Sequence, residues 1–308
     1  MPNLLSLSDA GAAGLRAILD AAHARKAARG ARPHGAVDDD APLSGRLLAS
    51  IFEKPSTRTR ISFEVAMRQL GGAALTLSAG DLQLGRGETL EDTARVLSGM
   101  VDCIMVRARA HSELERFARA ASVPVINGLT DRCHPCQAVA DLMTVEERLG
   151  RPVEGTRWAW LGDGNNVAHS LVEAAGLLRF SIRLGTPPGY EPDAAFVAAA
   201  RARGAEVEVV HDAFAAAAGA DVIATDAWIS MGQEGSTAKI AAMRPFQVGP
   251  MLMACAAPHA IFLHCLPAYR GEEVTDSVLD GPQSAAWEEA ANRVHAQKAI
   301  LLWACRTP

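Results

Sequence analysis

A chain of 308 residues, 49% hydrophobic and 21% charged, is long enough for one large or two ordinary globular domains with a sizeable core. Its formal charge of −5, with no basic block and no interleaving of aromatic and basic residues, speaks against nucleic-acid binding, so local geometry must attract any phosphate it binds. No apolar stretch approaches the roughly 20 residues of a membrane span, the first residues lack a basic region ahead of the apolar ones, and six scattered cysteines suit reduced thiols in a cytoplasm.

The first segment, MPNLLSLSDAGAAGLRAILDAAHARK, reads as an amphipathic helix capped near Ser8 or Asp9, and 28–42 as an exposed loop with no evident role. GRLLASIF is strand-like. STRTRISFEVAMRQLGG is helical, with Phe63, Ala66, Met67 and Leu70 on one face and Gly71-Gly72 as its stop. The strand AALTLS, a glycine-containing loop, the helix LEDTARVLSGM and the strand VDCIMVR follow. A helix near 111–121, the strand VPVING and a longer helix at about 136–149 lead to Gly150-Arg151-Pro152, the best domain boundary. The alternation then restarts: RWAWLGDG, helix, SIRLG, helix, EVEVVHD, a short alanine-rich helix and DVIATDAW. A looser segment fills 230–259, and the strand AIFLHCLP and a helix at about 284–305 close the chain.

Strands alternating with helices imply an α/β protein with parallel sheets covered on both faces. The restart implies two doubly wound domains, 1–150 joined by the final helix (about 286–308), and 151–285. Ligands of such sheets gather beyond the carboxyl ends of the strands. Polar residues stand at six such ends: Ser56 to Arg60, Arg107, His134, Asn165-Asn166, Asp226 and Cys265. Spread over both domains, they predict an active site in a cleft between the two.

In FEKPSTRTR, Pro55 stops the extended segment and Ser56 is set to cap a helix, leaving unpaired N–H groups at the positive end of the helix dipole. An anion there would gain the hydroxyls of Ser56, Thr57 and Thr59 and a guanidinium fork. Arg58 and Arg60 lie about 200° apart on a helix, so Arg58 faces the ligand and Arg60 a carboxylate of the domain. A capped helix with two solvated arginines fits the local pattern as well.

RCHPCQ offers a Cys-x-x-Cys, but zinc would need a second ligand pair that the sequence does not supply, and a redox motif would need a different setting. His134 and Gln137, one turn apart after a helix-starting proline, better suit two side chains reaching one small ligand. LGDGNN is an incomplete dinucleotide fingerprint, with Val167 in place of the third glycine. In HCLP, strand alternation sends His264 and Cys265 to opposite faces, which leaves the histidine poorly placed to activate the thiol; Cys265 reads as readily as a small buried hydrophobe.

Taken in order, FEKPSTRTRISFE, RCHPCQAVADLMTVEE, LGDGNNVAHS, TDAWISMGQE, LHCLPAYRG and EEAANR resemble the motif set of the ornithine carbamoyltransferases, from about Leu4 to Trp303. Ser-Thr-Arg-Thr-Arg and His-Pro-x-Gln are common to carbamoyltransferases, whereas Asp-x-x-x-Ser-Met-Gly and His-Cys-Leu-Pro narrow the likeness to the ornithine branch. The resemblance implies transfer of a carbamoyl group from carbamoyl phosphate to the δ-amine of L-ornithine, as part of arginine metabolism, with no cofactor, metal or covalent enzyme intermediate.

It further implies that Ser56, Thr57, Arg58, Thr59 and Arg107 hold the phosphate. His134 and Gln137, with Arg107 and Thr59, would address the carbamoyl group, and Arg293 would be a further contact. Asn166, Asp226, Ser230 and Met231 would hold ornithine, with Cys265 and the Leu266 backbone where the substrates meet. The 230–249 segment would fold over the amino acid, and the chain would form a homotrimer or an assembly of trimers, the loop at 79–88 reaching a neighbour's site. Aspartate, putrescine or an acylated ornithine are rival acceptors. Aspartate would want basic groups where this chain has an acid and a thiol, and putrescine is harder to exclude. A dehydrogenase would want the missing glycine, and a non-catalytic relative would have little need of the full polar set.

Overall fold

A computed structural model of the chain describes residues 2–78, 80, 87–229 and 237–305. Residues 79 and 81–86 of the loop at 79–88, and residues 230–236 with Ser230 and Met231 among them, lie outside the described residues. The chain divides into two compact units, Met1–Ala140 with Asn292–Pro308, and Asp141–Ala291.

The first unit begins with a 3-10 turn, Leu7–Asp9, and continues through α1 (Gly11–Arg29), β1 (Leu47–Phe52), α2 (Thr57–Gln69) and β2 (Ala73–Ser78). Then come α3 (Leu90–Ser98), β3 (Cys103–Arg107), α4 (His111–Ala120), β4 (Val125–Leu129) and the start of α5 (Pro135–Leu149). Its four strands are all parallel, in the order β2-β1-β3-β4. Every residue of β3 is buried, as a strand covered on both faces requires, and Ile51, Ile104, Val106, Leu114 and Phe117 belong to one core cluster. The edge strand β2 is different: Leu75 is 51% exposed, and Ile61, Val96 and Met100 are also exposed apolar residues of this unit.

The second unit runs through β5 (Arg157–Leu161), α6 (Asn166–Leu178), β6 (Ser181–Gly185), α7 (Ala194–Ala202), β7 (Val207–Val210), α8 (Ala213–Ala217) and β8 (Val222–Thr225). Next are α9 (Thr237–Met243), α10 (Pro250–Met253), β9 (Ile261–His264) and α11 (Asp276–Leu279), before α12 (Ala286–Ala304), whose residues from Asn292 onward belong to the first unit. Its five parallel strands are ordered β7-β6-β5-β8-β9. Leu161, Ile223, Phe246 and Phe262 centre its core.

In each sheet the winding direction reverses once, between β1 and β3 in the first and between β5 and β8 in the second. The loops leaving those strands splay apart there, and the gap is where doubly wound sheets take their ligands.

Three local expectations need correction. Asp9 does not cap α1; its carboxylate accepts the Leu5 and Ser6 N–H groups and caps the preceding 3-10 turn, and α1 starts after Ala10. From Thr237 onward the segment 230–259 is more regular than its composition suggests: α9 lies within it, and Pro250 opens α10 from the N1 position, where its missing N–H costs nothing. The loop at 28–42 is mostly exposed, but Asp38 turns inward to pair with the fully buried Lys298 of α12 and, at 2.8 Å, with Arg29.

Candidate active site

In the first unit, the Ser56 backbone is extended and its hydroxyl accepts the Thr59 N–H at 3.4 Å, making it the N-cap of α2. The cap sits just beyond β1, beside the reversal point, and turns the first N–H groups of α2 outward. Arg107 ends β3 on the other side of that point and is largely buried. Its Nη1 lies 3.4 Å from Thr59 Oγ1, and Arg293 of α12 brings Nη2 to 3.3 Å from the same hydroxyl. The other arm of Arg293, Nη1, donates to Gln137 Oε1 at 2.6 Å. Arg60 points elsewhere and pairs with Glu64 at 3.1 Å, as its position on the helix requires.

His134 is buried at the start of α5, where its carbonyl accepts the Gln137 N–H at 3.1 Å. Burial first, then the charges of Arg293, Arg107 and Arg58, hold its imidazole well below the ordinary 6.5, so it is neutral at physiological pH. These residues thus share one strongly positive field, with Thr59 at its centre. The neighbouring cysteines are structural. Cys133 donates to the Leu5 carbonyl and Cys136 to that of Asn127, both at 3.3 Å, and burial pushes the Cys136 thiol up to about 12.

In the second unit, the polar residues flank the reversal between β5 and β8. The turn after β5 has Gly164 packed against the Glu191–Pro192 backbone, where a Cβ would collide. Its glycine therefore serves a close backbone approach, which accounts for the incomplete nucleotide fingerprint. Asn165 caps α6, accepting the Val167 and Ala168 N–H groups at 2.9 and 3.2 Å, while its Nδ2 donates to Asp226 Oδ2 at 2.9 Å. The other oxygen, Oδ1, accepts the Cys265 thiol at 3.1 Å and the Ala227 N–H at 2.7 Å. Asn166, half-buried, opens α6 next to this chain of contacts.

Burial, then the Asp226 and Glu289 charges and the hydrogen bond to Asp226, hold the Cys265 thiol well above its ordinary 9.0. It is a protonated donor at neutral pH. Cys265 is therefore not the inert hydrophobe its neighbours suggested.

His264 also departs from strand logic. Its Nδ1 accepts the Leu266 N–H at 2.9 Å and its Nε2 meets Glu273 at 3.1 Å, which fixes the tautomer with the proton on Nε2. Leu266 has φ +56°, so the chain turns sharply after β9 and alternation lapses. A ring nitrogen of His264, the Cys265 sulfur and an Asp226 oxygen come within 4.8 Å of one another, the one such metal-capable group among the described residues. Both nitrogens of the ring are engaged, so it serves the turn rather than the thiol.

The described site residues therefore gather into two groups, each at the carboxyl edge of its own sheet: Ser56, Thr57, Arg58, Thr59, Arg107, His134, Gln137 and Arg293 in the first unit; Asn166, Asp226, Cys265 and Leu266 in the second. Sequence reasoning placed Asn165 at a strand end without giving it the cap of α6 or the bond to Asp226, and it missed Glu273 and Asp163, for which no local signal exists.

Two open parallel α/β units, each with its polar residues at the reversal point of the sheet, define a two-domain enzyme of the kind that binds small ligands beyond its strand ends. The carbamoyl-P binding domain of the aspartate/ornithine carbamoyltransferases matches residues 2–147, and their Asp/Orn binding domain matches residues 154–304. The chain belongs to the aspartate/ornithine carbamoyltransferase family. It is 61% identical over 301 residues to an ornithine carbamoyltransferase of Rhizorhabdus wittichii, covering 98% of this chain and 97% of that one. The ornithine carbamoyltransferase of Caulobacter vibrioides is 55% identical over 94% of this chain and 93% of its own length. Among solved structures, ornithine carbamoyltransferase from Pyrococcus furiosus superposes with a TM-score of 0.93 at 49% identity, over 100% of this chain and 98% of the other.

Proposed function

We propose that the chain transfers the carbamoyl group of carbamoyl phosphate to the δ-amine of L-ornithine, releasing L-citrulline and phosphate by direct attack. The observation that carries this reading is the Thr59 hydroxyl held between two buried guanidiniums at the open N-terminus of a capped helix. That arrangement fits a phosphate dianion and a polarised carbonyl, and the family supplies both in one substrate.

Ser56, Thr57, Arg58, Thr59 and Arg107 hold the phosphate. Arg107, Thr59 and neutral His134 give donors to the carbamoyl oxygen as charge grows on it, and Gln137, oriented by Arg293, takes the carbamoyl NH2. Asn166, Asp226, Ser230 and Met231 hold ornithine. Carbamoyl phosphate already has a good leaving group, so the chemistry reduces to alignment, charge stabilisation and delivery of a neutral amine.

An alkyl amine has a reference pKa of about 10 and must lose a proton before attack. That first proton is lost to solvent. Asp226 orients the neutral amine, Cys265 contacts the reacting nitrogen beside the Leu266 carbonyl, and the departing phosphate takes the second proton, released as the C–N bond forms. A thiol kept protonated by burial and by Asp226 is a poor nucleophile, which supports direct attack over a carbamoylated cysteine.

The exposed apolar residues of the first unit, Leu75 on the edge strand β2 among them, support assembly into a homotrimer. Six free thiols support a cytoplasmic setting. The test is phosphate release from carbamoyl phosphate, above the acceptor-free blank, with ornithine, aspartate, putrescine and N-acetylornithine assayed in parallel. Ornithine should exceed each rival by orders of magnitude, and equal rates with putrescine would overturn the acceptor assignment.

A further inference from the structure

We infer that Lys239 is a positioning residue for the amino-acid substrate: it clamps the turn that carries Asn165 and Asn166 and thereby sets Asp226. This inference rests on the ornithine reading above.

Lys239 lies in α9, the first described element after Ser230 and Met231. Its Nζ donates to Asp163 Oδ2 at 2.7 Å, and the two side chains are only 16% and 19% exposed. The same ammonium stands 5.6 Å from the centre of the Tyr190 ring, within range of a cation–π contact. Both partners bear on a single short turn. Asp163 lies within it, its backbone carbonyl accepting the Asn165 N–H at 2.8 Å and the Trp160 indole N–H at 2.9 Å. Tyr190 braces it from outside, its carbonyl accepting the Gly164 N–H at 2.8 Å.

The turn ends at Asn165, whose side chain both caps α6 and donates to Asp226 Oδ2 at 2.9 Å, and Asp226 in turn accepts the Cys265 thiol. One lysine thus grips two sides of the loop from which a continuous run of hydrogen bonds reaches the amine-binding acid and the thiol. The pair is partly shielded from water, so its geometry is better defined than that of a surface ion pair.

This run belongs to the second unit, and the phosphate group of residues belongs to the first. Loosening the clamp should therefore blur the amino-acid half and spare the anion half. A lysine that only stabilised the fold would lower the melting temperature and leave the Michaelis constants alone.

The experiment compares steady-state kinetics, with each substrate varied in turn, for the wild type, Lys239→Met, Lys239→Arg, Asp163→Asn and the Lys239→Met/Asp163→Asn double variant, alongside melting curves. We expect KM for ornithine to rise about tenfold in each of Lys239→Met and Asp163→Asn. KM for carbamoyl phosphate should hold within about twofold, Lys239→Arg should recover most of the loss, and the double variant should be no worse than either single. An unchanged ornithine KM in both singles, or KM values for the two substrates rising together, would overturn the inference while leaving the proposed reaction intact. A wild-type enzyme that forms no citrulline from ornithine would remove the reaction and the inference together.

Discussion

Arg293 Nη1 donates to Gln137 Oε1 at 2.6 Å, tying the first turn of α5 to α12. Because the other arm of Arg293 reaches Thr59, this arginine sets the direction of a glutamine and of a hydroxyl at once. Charge-assisted hydrogen bonds of this sort contribute about 1.5–3 kcal/mol each, or roughly 10- to 100-fold in affinity. Arg58→Ala, Arg107→Ala and Arg293→Ala should each weaken carbamoyl phosphate binding by at least about tenfold. Calorimetric titration measures this directly, and each variant should keep the wild-type circular dichroism spectrum.

Asp226 uses both carboxylate oxygens, one for Asn165 and one for Cys265 and Ala227. Asp226→Asn keeps the shape but loses the charge that orients the amine. Citrulline formation should fall by about 10²- to 10⁴-fold while carbamoyl phosphate binds as before. Equal loss of binding and turnover would assign the residue to the wrong substrate.

Reactivity of the thiols follows from their settings. Burial and Asp226 keep Cys265 protonated, whereas Cys255 is exposed. Iodoacetamide at pH 8 should label Cys255 well before Cys265, as read by peptide mass spectrometry. Asp226→Asn should accelerate labelling of Cys265, but only in part, because burial is the larger cause of its raised pKa.

His134 gives the protein a pH dependence of known sign. Its folded pKa lies below the ordinary 6.5, so above that value both folded and unfolded chains hold it neutral and it contributes nothing. As the pH falls below 6.5, the unfolded chain binds a proton that the native site refuses, and stability drops. The slope from this group approaches about 1.4 kcal/mol per pH unit until the native pKa is reached. Denaturant midpoints between pH 7.5 and 5.5 should fall more steeply for the wild type than for His134→Asn. Saturating phosphate, by placing negative charge among the three arginines, should make the wild-type slope shallower.

The extent to which this site was legible follows from which interactions are local. The cap at Ser56 and the register that separates Arg58 from Arg60 are properties of a few consecutive residues, and the structure bears them out through Thr59 N–H and Glu64. The strands were readable because buried parallel strands are continuous apolar runs, as in CIMVR. What was hidden depends on distant partners. Nothing in the sequence says that Lys239 meets Asp163, that Asp38 finds Lys298, or that Glu273 holds His264. For His-Cys-Leu-Pro the conclusion that His264 does not activate Cys265 agrees with the structure, but the ground differs: alternation lapses at the left-handed Leu266, and it is the Leu266 N–H and Glu273 that occupy the ring. Short elements such as α10 and α11 are too brief for periodicity to register.

The first unit is discontinuous in the chain: everything up to Ala140 waits for Asn292 onward, and Arg293 is among the residues it waits for. During translation the whole second unit must emerge from the ribosome before α12 can close the anion site. A nascent chain stalled before Asn292 would therefore carry an unfilled groove where that helix belongs, and it would be a natural client for a holdase chaperone.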